Sequence, residues 1–350
     1  MKEIESKILD ILSRQIGNPI SIRKIRDKIN EIYGHAHYPM IYSTIQDMAE
    51  RKILVLDKYG KSSIASLNFE NLLLIDSLAQ VELINKIRFL EERKDWQTLV
   101  LLINGYFREY STIKSILIHQ PERNAKLNRM ELFIVLRNDE QIEEQKNIRK
   151  TMGLLQQVQN IRLDFLLISE ADFSNLLRGD ANPIKEILSD KIVIFYPQTF
   201  WFIIKEISDE GIQIHVQENI HPAKISEQDI EYNLDRFGYS EFGTKIVGGN
   251  NIGTEYLVTA LLIKGNTRRR EAIPIILAKN SEKTNFGLLV FLCQKYGVVE
   301  KIFPVLKLVC EFKPSDDLRR TIEMLKDLKI TEEKINANEI KKKMRLYNVK

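Results

Sequence analysis

From Ser111 to Phe195 the apolar residues stop repeating at helical spacing and gather into short runs. "IKSILI", "MELFIVL", "IRLDFLLI" and "KIVIF" are each of strand length, and segments of helical pattern separate them. The clearest of those helices is "NDEQIEEQKNIRKTMGLLQQVQ". Strands alternating with helices predict an α/β domain. On either side the helical period prevails. The expectation is therefore an α/β multidomain chain: 1–70, 71–215 with the sheet behind a linker helix, and a helical 216–350.

The chain has 350 residues, 44% of them hydrophobic and 29% charged, enough for two or three domains with sizeable cores. No apolar run reaches the roughly 18–20 residues of a membrane span. "MKEIESKILDIL" reads as a charged amphipathic helix without the features of a secretory leader, so a cytoplasmic protein is expected. Cys293 and Cys310 are the only cysteines and form no metal-type spacing. No cofactor is expected. The net charge of +4 permits nucleic-acid binding without arguing for it.

In the first seventy residues, "IESKILDIL" places Ile4, Ile8, Ile11 and Leu12 on one helical face. After "GNP", Ile22, Ile25, Ile29 and Ile32 recur at spacings of three and four, with Ser21 placed to cap their helix. Pro39 sits where a third helix would start. That helix turns Ile41, Ile45 and Met48 inward and leaves Tyr42, Ser43 and Gln46 on other faces. Two β-rich runs around "KYGK" follow. Three helices and a hairpin, with "AERKIL" leading into it, resemble a winged helix-turn-helix domain. The resemblance implies that the third helix enters the major groove of double-stranded DNA and the wing meets the backbone. His35, His37, Tyr38, Tyr42, Ser43 and Gln46 would face bases or phosphates, and Lys58 and Lys61 would pair with phosphates. Against this stand only 11 Lys/Arg to nine Asp/Glu over residues 1–70, and winged helices also dock proteins.

A second resemblance rests on the middle of the chain. The order strand, polar loop, acidic strand, helix, acidic strand is similar to the small nucleotidyltransferases of the DNA-polymerase-β superfamily. "AKLNRMELFIVL" resembles their carboxylate strand, and "RLDFLLISEADFSNLL" the strand with the third carboxylate and its following helix. In "RGDANPIKEILSDKIVIF", Asn182, Pro183, Ile187, Leu188 and Ile192 fall on the family's closing motif. Phosphoryl transfer needs two or three carboxylates for Mg²⁺ and donors for the triphosphate. The family grips the phosphates with a Gly-Ser turn at a helix N-terminus. Here His119, Gln120 and Pro121 stand in that place. The first carboxylate position falls on Arg129 or Met130, leaving Glu131 for the second and Asp164 for the third. The scaffold is expected to persist with no catalytic residues. Glu131 and Asp164 then read as strand-end acids paired with Arg129 or Arg162, or, in the alternative, as metal ligands of a divergent enzyme acting on protein or RNA.

Toward the C-terminus, "EGIQIHVQ" alternates like an edge strand or a hairpin closing the second domain, and "GGNNIG" reads as a loop rather than a phosphate-binding motif. Pro274 is a candidate kink or stop in its helix. Arg268 to Arg270 are either a phosphate contact or a solvated helix start. The tail "NEIKKKMRLYNVK" reads as a frayed or surface helix that adds attraction to DNA. Phrases of this region are similar to archaeal winged-helix/nucleotidyltransferase-like proteins, antitoxin-type regulators among them. Together the expectations describe a DNA-binding regulator, homodimeric for two half-sites, whose other domains bind a protein partner or dimerise.

Overall fold

The computed structural model describes residues 1–60, 62–91, 93–137, 142–159, 161–178, 184–210, 221–240, 248–265, 267–327 and 330–349. Lys61, Asn182, Pro183 and the alternating run over 211–217 lie outside the described residues. The chain is mixed α/β with two small sheets. Among the described residues, no helix is long and apolar enough to cross a membrane. Contacts divide the chain into two compact units, Met1–Gly179 with Pro183–Glu218, and Asn219–Lys350.

The first unit opens with α1 (Glu3–Ser13), β1 (Ile20–Ser21), α2 (Ile22–Tyr33), α3 (Tyr38–Glu50), β2 (Leu54–Tyr59) and β3 (Ser62–Leu67). The strands form an antiparallel sheet in the order β1-β3-β2. Gly60, at φ +58°, turns the β2–β3 hairpin in the left-handed region that glycine adopts without cost. Ser21 caps α2 by accepting from the Lys24 amide at 3.2 Å. Ile22, Ile25, Ile29, Ile41, Ile45 and Met48 are buried as their spacing requires, but Ile32 is half exposed. Ile32 lies in the last turn of α2, where Asn30, Glu31 and Gly34 are exposed as well. α1 departs further from expectation. It packs against α2, α3, β3 and the next long helix, so its polar positions Glu5, Asp10 and Ser13 are buried as well.

That long helix is α4 (Leu72–Glu91), followed by α5 (Lys94–Phe107). A sheet domain follows: β4 (Ile113–His119), α6 (Pro121–Lys126), β5 (Arg129–Leu136), α7 (Ile142–Gln159), β6 (Arg162–Ser169), α8 (Glu170–Arg178), α9 (Ile184–Ser189), β7 (Lys191–Phe195) and α10 (Pro197–Asp209). The strand order is β6-β5-β4-β7; β5 and β6 are parallel, joined by the crossover helix α7, and the other pairs are antiparallel. One sheet face, with Ile116, Ile118, Leu132, Ile134 and Ile192, packs on Trp96, Leu99, Ile103 and Phe107 of α5 and Ile148 and Met152 of α7. α8 and α10 contact the sheet, and α4 packs on β7, on α10 and on α1. The first seventy residues and the four-stranded sheet thus belong to one unit, joined through α4.

The second unit is helical among its described residues: a 3₁₀ turn (Pro222–Lys224), α11 (Glu227–Arg236), α12 (Thr254–Lys264), α13 (Thr267–Arg270), α14 (Ala272–Lys279), α15 (Phe286–Lys295), α16 (Val299–Phe312), α17 (Asp316–Asp327) and α18 (Ala337–Leu346). Pro274 neither kinks nor ends α14. It sits in the first turn, where its missing N–H has no helical partner to lose. Residues 248–253 form a loop as expected, held by Asn233, which donates to the Asn250 carbonyl and accepts from the Ile252 amide. The basic tail is a surface helix, as expected, but a packed one rather than a frayed one. Ile340 and Met344 of α18 are buried, Lys341 and Lys343 pair with Glu311 and Glu271, and Tyr347 stacks on Tyr239 at 4.9 Å. Arg269 is likewise paired with Glu227 and Glu231, and Arg270 with Glu333.

Candidate nucleic-acid interface and the buried polar row of the sheet

α3 owes its exposed face to its start. His37 precedes the helix in an extended conformation, and Pro39 in the first turn gives up an amide that would have had no partner there. His35, His37, Tyr38, Ser43 and Gln46 are exposed and Tyr42 is half-buried. The Tyr38 and Tyr42 rings lie 6.1 Å apart, and Gln46 Nε2 donates to the Tyr42 hydroxyl at 3.1 Å. This is a surface of amide, hydroxyl and aromatic edges with no carboxylate until Asp47. Asp47 is itself faced by Arg51 at 3.6 Å and Lys2 at 3.8 Å. Lys58 is exposed on β2, beside the hairpin turn. Arg23 and Lys24 are exposed in the first turn of α2.

The second candidate is the sheet. Its strand registers set Asp164 beside Glu131, Glu131 beside His119, and His119 beside Lys191, one polar row across four strands. All four are buried. Charges at such depth need partners, and they have them. Arg129 reaches Asp164 Oδ2 with Nε at 2.5 Å and Glu131 Oε1 with Nη2 at 3.1 Å. Glu131 Oε2 lies 2.9 Å from His119 Nδ1, and Arg162 adds a second cation to Asp164 at 3.1 Å. Lys191 pairs with Glu82 of α4 at 3.2 Å, 4.7 Å from the Trp201 ring centroid.

A guanidinium forked between two carboxylates supplies the charge that a metal ion would otherwise bring. The loop before α6 follows the same logic. The Gln120 amide is committed to the Asp190 carbonyl at 2.9 Å, Gln120 itself is left-handed at φ +45°, and Pro121 has no amide to offer. Among the described residues no group of three or more His, Cys, Asp or Glu side chains is arranged to hold a metal. The pairing of His119 with Glu131 was not legible beforehand, because it depends on which residue of β4 stands opposite β5.

The comparisons with known proteins are empty: the chain matches no family model, no curated protein and no solved structure.

Proposed function

We propose that the chain is a DNA-binding regulator, antitoxin-like in form, whose first seventy residues are a winged helix. The observation that carries this reading is the outer face of α3 and the segment before it, which leave amide, hydroxyl and imidazole groups in water, together with the exposed Lys58 of the hairpin. Such groups read base edges in the major groove, while Lys58, Arg23 and Lys24 would neutralise phosphates. The sheet domain is read as a nucleotidyltransferase-like scaffold retained for partner binding or dimerisation. The element order of β4 to α8 supports that reading, as does the occupation of both carboxylates by Arg129.

Purified protein titrated with duplex from its own upstream region, at several salt concentrations, tests the proposal. Binding should exceed that to random DNA, weaken steeply with salt, and fail in Tyr42→Ala/Lys58→Ala/Lys61→Ala. Equal affinity for upstream and random DNA would remove it.

A second reading, a divergent Mg²⁺-dependent nucleotidyltransferase, draws on one observation: Glu131 and Asp164 are direct neighbours on parallel strands. Mg²⁺-dependent nucleotide binding that is lost in Asp164→Asn with the fold intact would favour it over the first.

A further inference from the structure

α4 carries large apolar residues on its outer side as well as on its buried side. Leu74, Leu78, Val81 and Phe89 are buried against the rest of the first unit, yet Leu72, Leu73, Leu83, Ile84 and Ile87 on the outer side are between 38% and 64% exposed. A helix with apolar side chains on opposite sides normally has cover on both. The outer residues form a seam, Leu73, Asp76, Gln80, Leu83 and Ile87, alternating in steps of three and four, the spacing at which two helices bury a stripe against each other. α10 extends the patch. Gln198 donates to Asp76 at 2.5 Å, and Phe202, one turn along the same outward side of α10, is 41% exposed.

The area decides what kind of cover this patch requires. At roughly 200 Å² per fully exposed side chain of this size, the six apolar residues leave about 600 Å² to water, close to the roughly 800 Å² that one partner gives to a standard stable interface. It also stands at the top of the range for the largest apolar patch on an ordinary monomer. Asp76, Gln80 and Arg88 supply the polar remainder and would set register, as isolated polar residues do in helical seams. We infer that the outer face of α4, with Phe202 beside it, is a two-fold interface with a second copy of this chain. A two-fold contact uses the same patch on both partners, and a single helical seam can meet its own copy in that way. This deepens the proposed regulator by giving its dimer an interface, and it can be tested without DNA.

Sedimentation of the full chain should show a dimer. Leu83→Glu/Ile87→Glu should weaken dimerisation at least a hundredfold while leaving the circular dichroism spectrum unchanged. Leu101→Glu/Val158→Glu, which alters exposed apolar residues of α5 and α7, should remain dimeric. Because a glutamate pair could harm folding, Leu83→Cys gives an independent reading: oxidation should yield a covalent dimer, and Leu101→Cys should not. A wild-type chain that is monomeric at every concentration would overturn the inference, as would a dimer that survives both α4 glutamates. A monomer that still binds its upstream DNA would sink this interface alone; a dimer through α4 that binds no DNA would sink the DNA reading alone.

Discussion

Asn85 of α4 donates a hydrogen bond to the buried carboxylate of Asp10 at 2.6 Å, across 75 residues of sequence. The same carboxylate accepts from the Tyr33 hydroxyl at 2.5 Å and pairs with Arg14 at 3.1 Å. One turn before Asn85, Glu82 pairs with Lys191 of β7 and accepts from the Val193 amide. α4 thus holds the amino-terminal helices with one residue and the sheet with another, both on its buried side. Whatever the exposed face of α3 binds, it is anchored through α4 to the sheet and does not hang from a free linker.

Asp10→Ala should destabilise the first unit by about 3 kcal/mol or more, because it leaves three donors without their shared acceptor, one of them charged. Asn85→Ala should cost less, about 1–2 kcal/mol, since the carboxylate keeps Tyr33 and Arg14. Urea unfolding of the two variants checks the order; equal losses would mean that Asp10 acts only through Asn85.

Burial, and then the adjoining Asp10 carboxylate, push the Tyr33 phenol up to about 12 from its ordinary 10. The folded state therefore keeps a proton that the unfolded chain releases first. The contribution of Tyr33 to stability is complete below pH 10 and is lost as pH rises from 10 toward 12. Stability measured at pH 9 and 11 should drop in the wild type, with a smaller drop in Tyr33→Phe. Identical slopes would show that other groups govern the alkaline limb.

Arg129→Ala should cost about 3–5 kcal/mol, since it leaves Glu131 and Asp164 as buried neighbours without the cation that both share. Arg129→Lys should recover only part of that loss, because an ammonium cannot fork to two carboxylates as a guanidinium does. Thermal unfolding with and without Mg²⁺ adds a further reading. If Mg²⁺ restores Arg129→Ala, the two acids retain metal affinity and the enzyme reading gains; no effect leaves them as structural partners of an arginine.

In the second unit, burial raises the Glu255 carboxyl above its ordinary value near 4.5, although it accepts from the Asn285 amide at 2.7 Å. Between the unfolded and folded values the folded state binds the extra proton, so stability falls as pH rises from about 4.5 through that window. Glu255→Gln keeps an acceptor for Asn285 and removes the buried charge. It should match or exceed the wild type in Tm at pH 7 and flatten the fall in stability that begins above about pH 4.5. A lower Tm at pH 7 would mean that the charge itself strengthens the contact with Asn285.

Periodicity alone determined the mixed α/β character of this chain and most of its elements, because side chains three and four apart share a helix face and alternate ones share a sheet face. Residue identity added the Ser21 cap, the Pro39 helix start, the hairpin around Gly60 and the loop at 248–253. Residue identity also showed that no glycine turn follows β4, and it allowed Arg129 as a partner for the acids. Tertiary structure decided everything that depends on which elements become neighbours. α1 could not be known as a buried helix until α4 covered it, and Glu82 and Lys191, 109 positions apart, became an ion pair only when α4 settled on β7. The row from Asp164 to Lys191 required the register of four strands, which no local pattern encodes. The tail reads as a frayed or surface helix, and only the fold shows its lysines meeting Glu271 and Glu311. In each case the deciding energy is the desolvation of a charge, and whether a charge is buried and what then pairs with it are settled only by the packed fold.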